Sequence, residues 1–324
     1  MNIIAYRLPG DTEQFIYQAK VSDGPTSGKG LKRFAVAPFD PSKAPVFYSL
    51  GRRLHQIPTQ ILSDNDAGYP FAESSKTDYT NYINSIKCFI SGDEQRKVVA
   101  SRRKILGIAV DPDALFQKIC KTYPDAFVFF ISTAEFGTWI GASPELLLKS
   151  EGDVFSTVAL AGTRRADSEG DWDRKNLLEQ AIVTRHIKEI MEDAGLTVKL
   201  EGPRTHRAGH IEHIMTPVRG EGNAESFRLL KELSPTPALA GYPRDEAIRI
   251  IREHEGDRVL YGGFCGPIHA NGDFRMQVIL RCAFIQPDSV TLFAGGGITC
   301  HSEPEAEWEE TENKFQTLSS LLGS

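Results

Sequence analysis

Six glutamates fall between Ser302 and Lys314, a stretch that reads SEPEAEWEETENK. Just before it, Phe293-Ala294-Gly295-Gly296-Gly297-Ile298 is a glycine turn that can bring backbone N–H groups close to an anion. Carboxylate oxygens beside such a turn suit a hard divalent cation, which takes one or two carboxylates and completes its shell with water and substrate oxygens. The pattern points to an enzyme that holds a small anionic substrate together with a metal. A plainer reading stays open. Ser302 with Glu305 three residues on fits a capping box, and acidic residues in a first turn complement the helix dipole, so the stretch could be a solvated acidic face. Helical spacing makes Trp308, Thr311, Phe315, Leu318 and Leu322 the buried stripe, with Glu307, Glu310 and Lys314 along its edge.

Other residues could do chemistry where they stand. Glu179 heads a helical face continued by Ile182, Val183, His186, Ile187 and Ile190. A carboxylate there is either costly to bury without a cation or sits at the helix rim. Lys97 opens the Val98-Val99 strand; desolvated it could lose its proton and act as a base, and otherwise it reaches for water. Glu145 follows the tight turn Gly141-Ala142-Ser143-Pro144 and is either a general acid or a turn-edge carboxylate. Arg281 stands in the apolar run Val278 to Phe284 and asks for a partner, either a substrate carboxylate or an internal acid. His213 is either a ligand contact or a satisfied core histidine.

The elements that must position these groups are legible in part. Helices are expected over Tyr79–Ile90, Asp111–Tyr123, Asp173–Ala194 (closed by Gly195), Ala224–Leu233 and Pro243–Glu253. Short strands are expected at Ala35–Pro38, Val46–Leu50 and Lys97–Ser101. A strand-rich block runs through Ala126–Ser132, Thr138–Gly141, Glu145–Leu148 and Val154–Ala161, with turns at Glu135-Phe136-Gly137 and Gly152-Asp153. Arg275–Ile285 reads as one strand pairing with Ser289–Ala294, and Pro58–Thr77 reads as a loop. Consecutive hairpins with interspersed helices favour an α+β fold with antiparallel sheets.

The chain has 324 residues, 40% hydrophobic and 25% charged, with net charge −6 and no basic block, so nucleic acid is not the expected partner. No run approaches a membrane-spanning length, and the N-terminal residues do not read as a signal peptide. Five scattered cysteines match no zinc spacing and read as reduced thiols, consistent with a cytoplasmic protein.

Six segments together resemble the chorismate-utilising enzymes, which include isochorismate synthase, salicylate synthase and the large subunits of anthranilate and aminodeoxychorismate synthases. They are Gly141-Ala142-Ser143-Pro144-Glu145, Leu160-Ala161-Gly162-Thr163-Arg164-Arg165, Pro235-Thr236-Pro237-Ala238-Leu239, Ile279-Leu280-Arg281, Ala294-Gly295-Gly296-Gly297-Ile298 and Glu307-Trp308-Glu309-Glu310-Thr311. The resemblance covers about residue 80 to the end. It implies a single domain over 1–324, with sandwiched antiparallel sheets, helices outside, a shortened framework part over 1–80 and a catalytic core over 80–324. It implies Mg²⁺ on Glu179 and Glu310 with Glu307 close by, clamping the ring carboxylate of chorismate. Arg281, Gly295 and Lys314 would hold the enolpyruvyl carboxylate, Gly162 and Thr163 would line the ring, and His213 would sit beside it. Isochorismate synthase is the subgroup most resembled: Lys97 matches its base and Glu145 its acid, and Ala238-Leu239 match its pocket pattern. The implied reaction adds water at C2 and expels the C4 hydroxyl, giving a product that feeds menaquinone or catecholate siderophores. Salicylate synthase and an ammonia-using synthase are the alternatives. A monomer without a glutaminase subunit is expected. Two departures stand out. Ser234 replaces a common His and is expected to alter the pocket wall. Asn176 replaces a common acid and is expected to weaken support for the metal.

Overall fold

The computed structural model describes residues 1–25, 32–65, 67–168, 170–208 and 211–322. The framework part contains β1 (Asn2–Arg7), β2 (Phe15–Ser22), β3 (Arg33–Ala37), β4 (Val46–Arg53), a short α1 (Ile61–Asp64) and α2 (Lys76–Ile90). The segment expected as a loop thus carries one helical turn. Next come β5 (Lys97–Leu106), α3 (Pro112–Thr122), β6 (Phe127–Thr133), β7 (Gly137–Ser143), β8 (Leu146–Glu151), β9 (Val154–Arg165) and α4 (Arg174–Asp193). The chain continues through β10 (Thr197–Leu200), β11 (Arg204–Ala208), β12 (Ile211–Glu221), α5 (Ser226–Leu233), β13 (Gly241–Tyr242) and α6 (Arg244–Glu255). It ends with β14 (Phe264–Ile268), β15 (Phe274–Val278), β16 (Cys282–Ile285), β17 (Val290–Ile298) and α7 (Pro304–Leu322).

Helix starts follow local chemistry. Ser75, Asp111 and Asp173 each accept the N–H three residues on (Asp78, Ala114 and Asn176), satisfying a donor that the first turn leaves without a partner. On α4, Ile182, Val183, Ile187 and Met191 are buried, each worth about 1.5–3 kcal/mol against exposure. On α7 the expected stripe is buried at Thr311, Phe315 and Leu318. Ser302 does not form the expected capping box. Pro304 opens the helix, and the Ser302 hydroxyl accepts from Thr299 N at 3.1 Å instead.

Among the described residues all strand pairings are antiparallel and join seventeen strands in one hydrogen-bonded sheet. One half runs β13-β5-β17-β16-β7-β6-β1-β2. The β2–β4 pairing leads into the other half, β4-β3-β14-β15-β8-β9-β12. The halves fold over a shared aromatic core holding Tyr6, Phe127, Trp139 and Phe293 from one and Phe34, Val36 and Tyr48 from the other. Helices cover the outside: α3 and α7 over one apolar cluster, α4 and α5 over a second, α2 and α6 over a third. The expected sandwich is therefore one continuous sheet folded on itself. Among the described residues no helix is long and apolar enough to cross a membrane.

Two expectations about the C-terminal third are corrected. Arg275–Ile285 is not one strand: β15 pairs with β8 and β14, while β16 pairs with β7 and β17, so the chain changes halves at Ile279-Leu280-Arg281. Arg281 makes that change with φ 46, a left-handed conformation. The glycine triplet is not a turn either. It lies inside β17, paired in register with β5 (Gly295 opposite Ser101, Gly297 opposite Val99).

Candidate active site

A cleft of about 860 Å³, counting the open solvent at its mouth, gathers residues from both halves of the sheet and from α4 and α7. One wall is the end of β9, with Gly162 and Thr163; His213 of β12 lies beside them. Gly162 has φ +72, and a Cβ there would come within 3.1 Å of Asn176, so the close approach of β9 to α4 needs glycine. Asn176 Oδ1 accepts from Thr163 N at 2.9 Å and its Nδ2 donates to Asp173 Oδ2 at 2.7 Å. An amide can do both at once, which a carboxylate cannot. Asn176 thus clamps the end of β9 to the start of α4.

His213 Nδ1 lies 2.9 Å from Gly162 O, and since a carbonyl only accepts, Nδ1 carries the proton and Nε2 keeps its lone pair. Burial lowers this imidazole to about 4, so it is neutral near pH 7. Ala238 and Leu239 also line the cleft, and Ser234 is buried outside that lining.

Glu145 enters the cleft between β7 and β8 and is 7% exposed. Burial raises its carboxyl to about 8, against the pull of Lys97, Arg281 and Lys314. It is therefore a protonated acid at neutral pH. Arg281 lines the cleft near it, with burial working against its charge. Among the described residues no carboxylate forms an ion pair with Arg281, so an internal salt bridge is not its partner.

Three carboxylates gather around the end of β17, each paired with a lysine. Glu179 Oε1 takes Lys97 Nζ at 2.6 Å, Glu307 Oε1 takes Lys175 Nζ at 2.8 Å, and Glu310 Oε1 takes Lys314 Nζ at 2.5 Å. Lys314 also donates to Gly295 O at 2.7 Å. Glycine is required here by proximity. A Cβ on Gly296 would sit 2.9 Å from Glu307 Oε2, and one on Gly297 would sit 2.6 Å from Glu179 Oε1. The carboxylates thus crowd β17 from two helices, Glu307 of α7 at Gly296 and Glu179 of α4 at Gly297.

Lys97 is fully buried and lies behind Gly297 rather than in the cleft lining; Glu307, 2% exposed, lies behind Gly296 in the same way. Burial raises the Glu307 carboxyl, opposed by Lys175 and reinforced by Glu310. Burial also pushes up Glu310, but Lys314 and Lys175 outweigh it and hold it below the usual range. Lys175 was not found by sequence reasoning. It lines the cleft, and although burial disfavours its charge, Glu307, Glu179 and Glu310 together hold it above the ordinary lysine range. Its signal was available, four residues before Glu179 on one helix face.

The donor set fits a hard cation. Glu307 Oε2 is buried with no hydrogen-bond partner and lies near Gly296 with Glu310 Oε1, while Glu179 Oε1 lies near Gly297. Among the described residues no three His, Cys, Asp or Glu side chains already stand in a metal-holding group. Two carboxylates plus oxygens from water and substrate are what Mg²⁺ commonly takes.

Residues 51–323 match the family model described as "Chorismate binding enzyme". Isochorismate synthase EntC of Escherichia coli K12 is 33% identical over 229 residues, 66% of this chain and 59% of that protein. Isochorismate synthase MenF of Bacillus subtilis is 34% identical over 269 residues, 78% of this chain and 56% of that protein. The chain thus spans less than two thirds of the length of these relatives. The solved structure of MenF, the menaquinone-specific isochorismate synthase from Escherichia coli, superposes with TM-score 0.80 at 22% identity, covering 99% of this chain and 89% of that one.

Proposed function

The chain belongs to the chorismate binding enzyme family, and from that premise we propose that it is an isochorismate synthase, converting chorismate to isochorismate with Mg²⁺. The observation that carries the reading is the pairing of a buried, protonated Glu145 with an anion-receptive Arg281 in one cleft. The relatives named isochorismate synthase support the same choice.

The cleft lining and the family resemblance support the following division of labour. Arg281, beside Lys314 and Gly295, binds the enolpyruvyl carboxylate. Gly162, Thr163, Ala238 and Leu239 flank the ring, and the His213 Nε2 lone pair accepts a hydrogen bond from a ring hydroxyl. Mg²⁺ held by Glu179 and Glu310, with Glu307 beside them, would neutralise the ring carboxylate and fix its orientation. Glu145 gives its proton to the C4 oxygen, which leaves as water as the ring double bonds shift. Water adds at C2, and its proton passes to Lys97. One water enters and one leaves, so the balance closes once Lys97 returns its proton and Glu145 regains one. Lys97 Nζ is held by Glu179 Oε1 at 2.6 Å, so acting as base requires that contact to open.

We place the protein in the cytoplasm as a monomer acting without a glutaminase subunit, its product destined for menaquinone or a catecholate siderophore. The test is incubation with chorismate and Mg²⁺ and chromatography of the products. Accumulating isochorismate supports the reading. Salicylate with pyruvate, or an aminated product formed only with ammonium, replaces it with the corresponding relative's activity.

A further inference from the structure

Arg102 lies on β5 five residues past Lys97, and the period of two along a strand puts these side chains on opposite faces. Lys97 meets α4 through Glu179, whereas the Arg102 side chain, among the described residues, hydrogen-bonds to α7 and has the Tyr79 ring of α2 at 5.9 Å. Arg102 is 2% exposed. Its Nε donates to Thr311 Oγ1 at 2.6 Å, and a terminal nitrogen pairs with Glu312. Its guanidinium lies 3.5 Å from the Trp308 ring centroid and 4.7 Å from that of Phe315. The Thr311 hydroxyl in turn donates to Trp308 O at 2.7 Å.

The spacing of these contacts bears on the site. Trp308, Thr311 and Phe315 each follow by one residue a member of the set Glu307, Glu310 and Lys314. One residue along an α-helix is a rotation of about 100°. The stripe gripped by Arg102 and the stripe serving the cleft are therefore the same pattern displaced once around α7, and fixing one fixes the other. Apolar packing alone holds a helix loosely in rotation. A planar fork with a hydroxyl, a carboxylate and an aromatic face as partners does not.

We infer that Arg102 is a positioning residue that sets the rotational phase of α7, and through it the aim of Glu307, Glu310 and Lys314 at the end of β17. The inference rests on the proposed function only where it concerns the metal. Arg102→Lys keeps the charge and loses the fork; Trp308→Phe narrows the aromatic face and serves if the first variant does not fold. Mg²⁺ binding is measured by calorimetry without substrate, alongside kcat, KM and the thermal midpoint. Both variants are expected to weaken Mg²⁺ binding about 10-fold or more, as loss of supporting partners commonly does. Asn65→Ala, which removes a buried amide bonded to Met1 O and Ser132, is the control for lost stability alone, and its Mg²⁺ affinity is expected to stay within about 2-fold of wild type. Wild-type Mg²⁺ affinity in Arg102→Lys, with only the thermal midpoint lowered, overturns the inference.

A crystal structure of Arg102→Lys reads the phase without metal. Expected is loss of the Lys175–Glu307 and Lys314–Gly295 contacts; their retention at 2.8 and 2.7 Å overturns the inference whatever the enzyme's activity. A wild type that binds no Mg²⁺ and leaves chorismate unchanged counts against the proposed function, while the crystallographic arm still decides on Arg102.

Discussion

Replacing Glu145 by Gln should make the protein less active and, above pH 5, more stable. The carboxyl rises from 4.5 to about 8 on folding because burial penalises its charge. Between those values the unfolded chain releases a proton that the folded chain keeps, so the native state loses stability as pH rises. Each unit of difference is worth about 1.36 kcal/mol. The penalty is about 1 kcal/mol at pH 5 and about 3 kcal/mol at pH 7, levelling near 5 above pH 8. The amide of the variant cannot ionise and carries none of it. Urea unfolding of both proteins at pH 5 and pH 7 removes any constant difference between amide and acid. The variant's advantage should grow by about 2–3 kcal/mol between the two conditions. The same change should cut kcat by about 10²–10⁴, since an amide fills the space of the acid but has no proton to give. Parallel stability curves would refute the buried-acid argument, and unimpaired turnover would refute the assignment of Glu145 as the acid.

Wild-type kcat/KM should fall as pH rises through about 8, where Glu145 ionises; a profile still rising at pH 9 contradicts this. His213 should titrate near pH 4 by NMR in the ligand-free protein. Because its folded value lies below 6.5, its contribution to stability is present above 6.5 and lost as pH falls toward 4; a midpoint at 6.5 contradicts the neutral Nε2. Gly297→Ala forces a Cβ against Glu179 Oε1 and Lys97 Cε, at 2.6 and 2.7 Å. It should cost about 1–3 kcal/mol in unfolding experiments and lower kcat with it, and a variant like wild type in both contradicts the close approach. Lys97→Met should lower kcat about 10²–10⁴, read by single-turnover kinetics; a retained kcat removes Lys97 as base.

Helices were legible because their signals are local. Asp111 and Asp173 cap, and the α4 and α7 stripes repeat on one face. The switch of sheet halves at Ile279–Arg281 was not, since the run Val278 to Phe284 is apolar on both sides of Arg281 and no Gly or Pro marks the crossing. The glycine triplet was legible as special but not as part of a strand: Gly295 is crowded by Ala100 O and Tyr261 Oη, and Gly296 and Gly297 by carboxylates from α7 and α4, which only the folded chain brings there. Glu145, Glu179, Arg281, Glu310 and Lys314 do share one cleft, but sequence spacing alone left each balanced against a plainer role. Lys175 escaped notice because its meaning depends on three acids from two helices. Arg102 was not singled out, because its partners Thr311 and Trp308 lie far along the chain on α7.

The proposed reaction turns on water entering at C2 while the C4 hydroxyl leaves. Running the conversion in ¹⁸O-labelled water with Mg²⁺, and reading the product by mass spectrometry, tests that claim most directly. Isochorismate carrying one heavy oxygen at C2 is predicted. Unlabelled isochorismate, or no isochorismate at all, contradicts it.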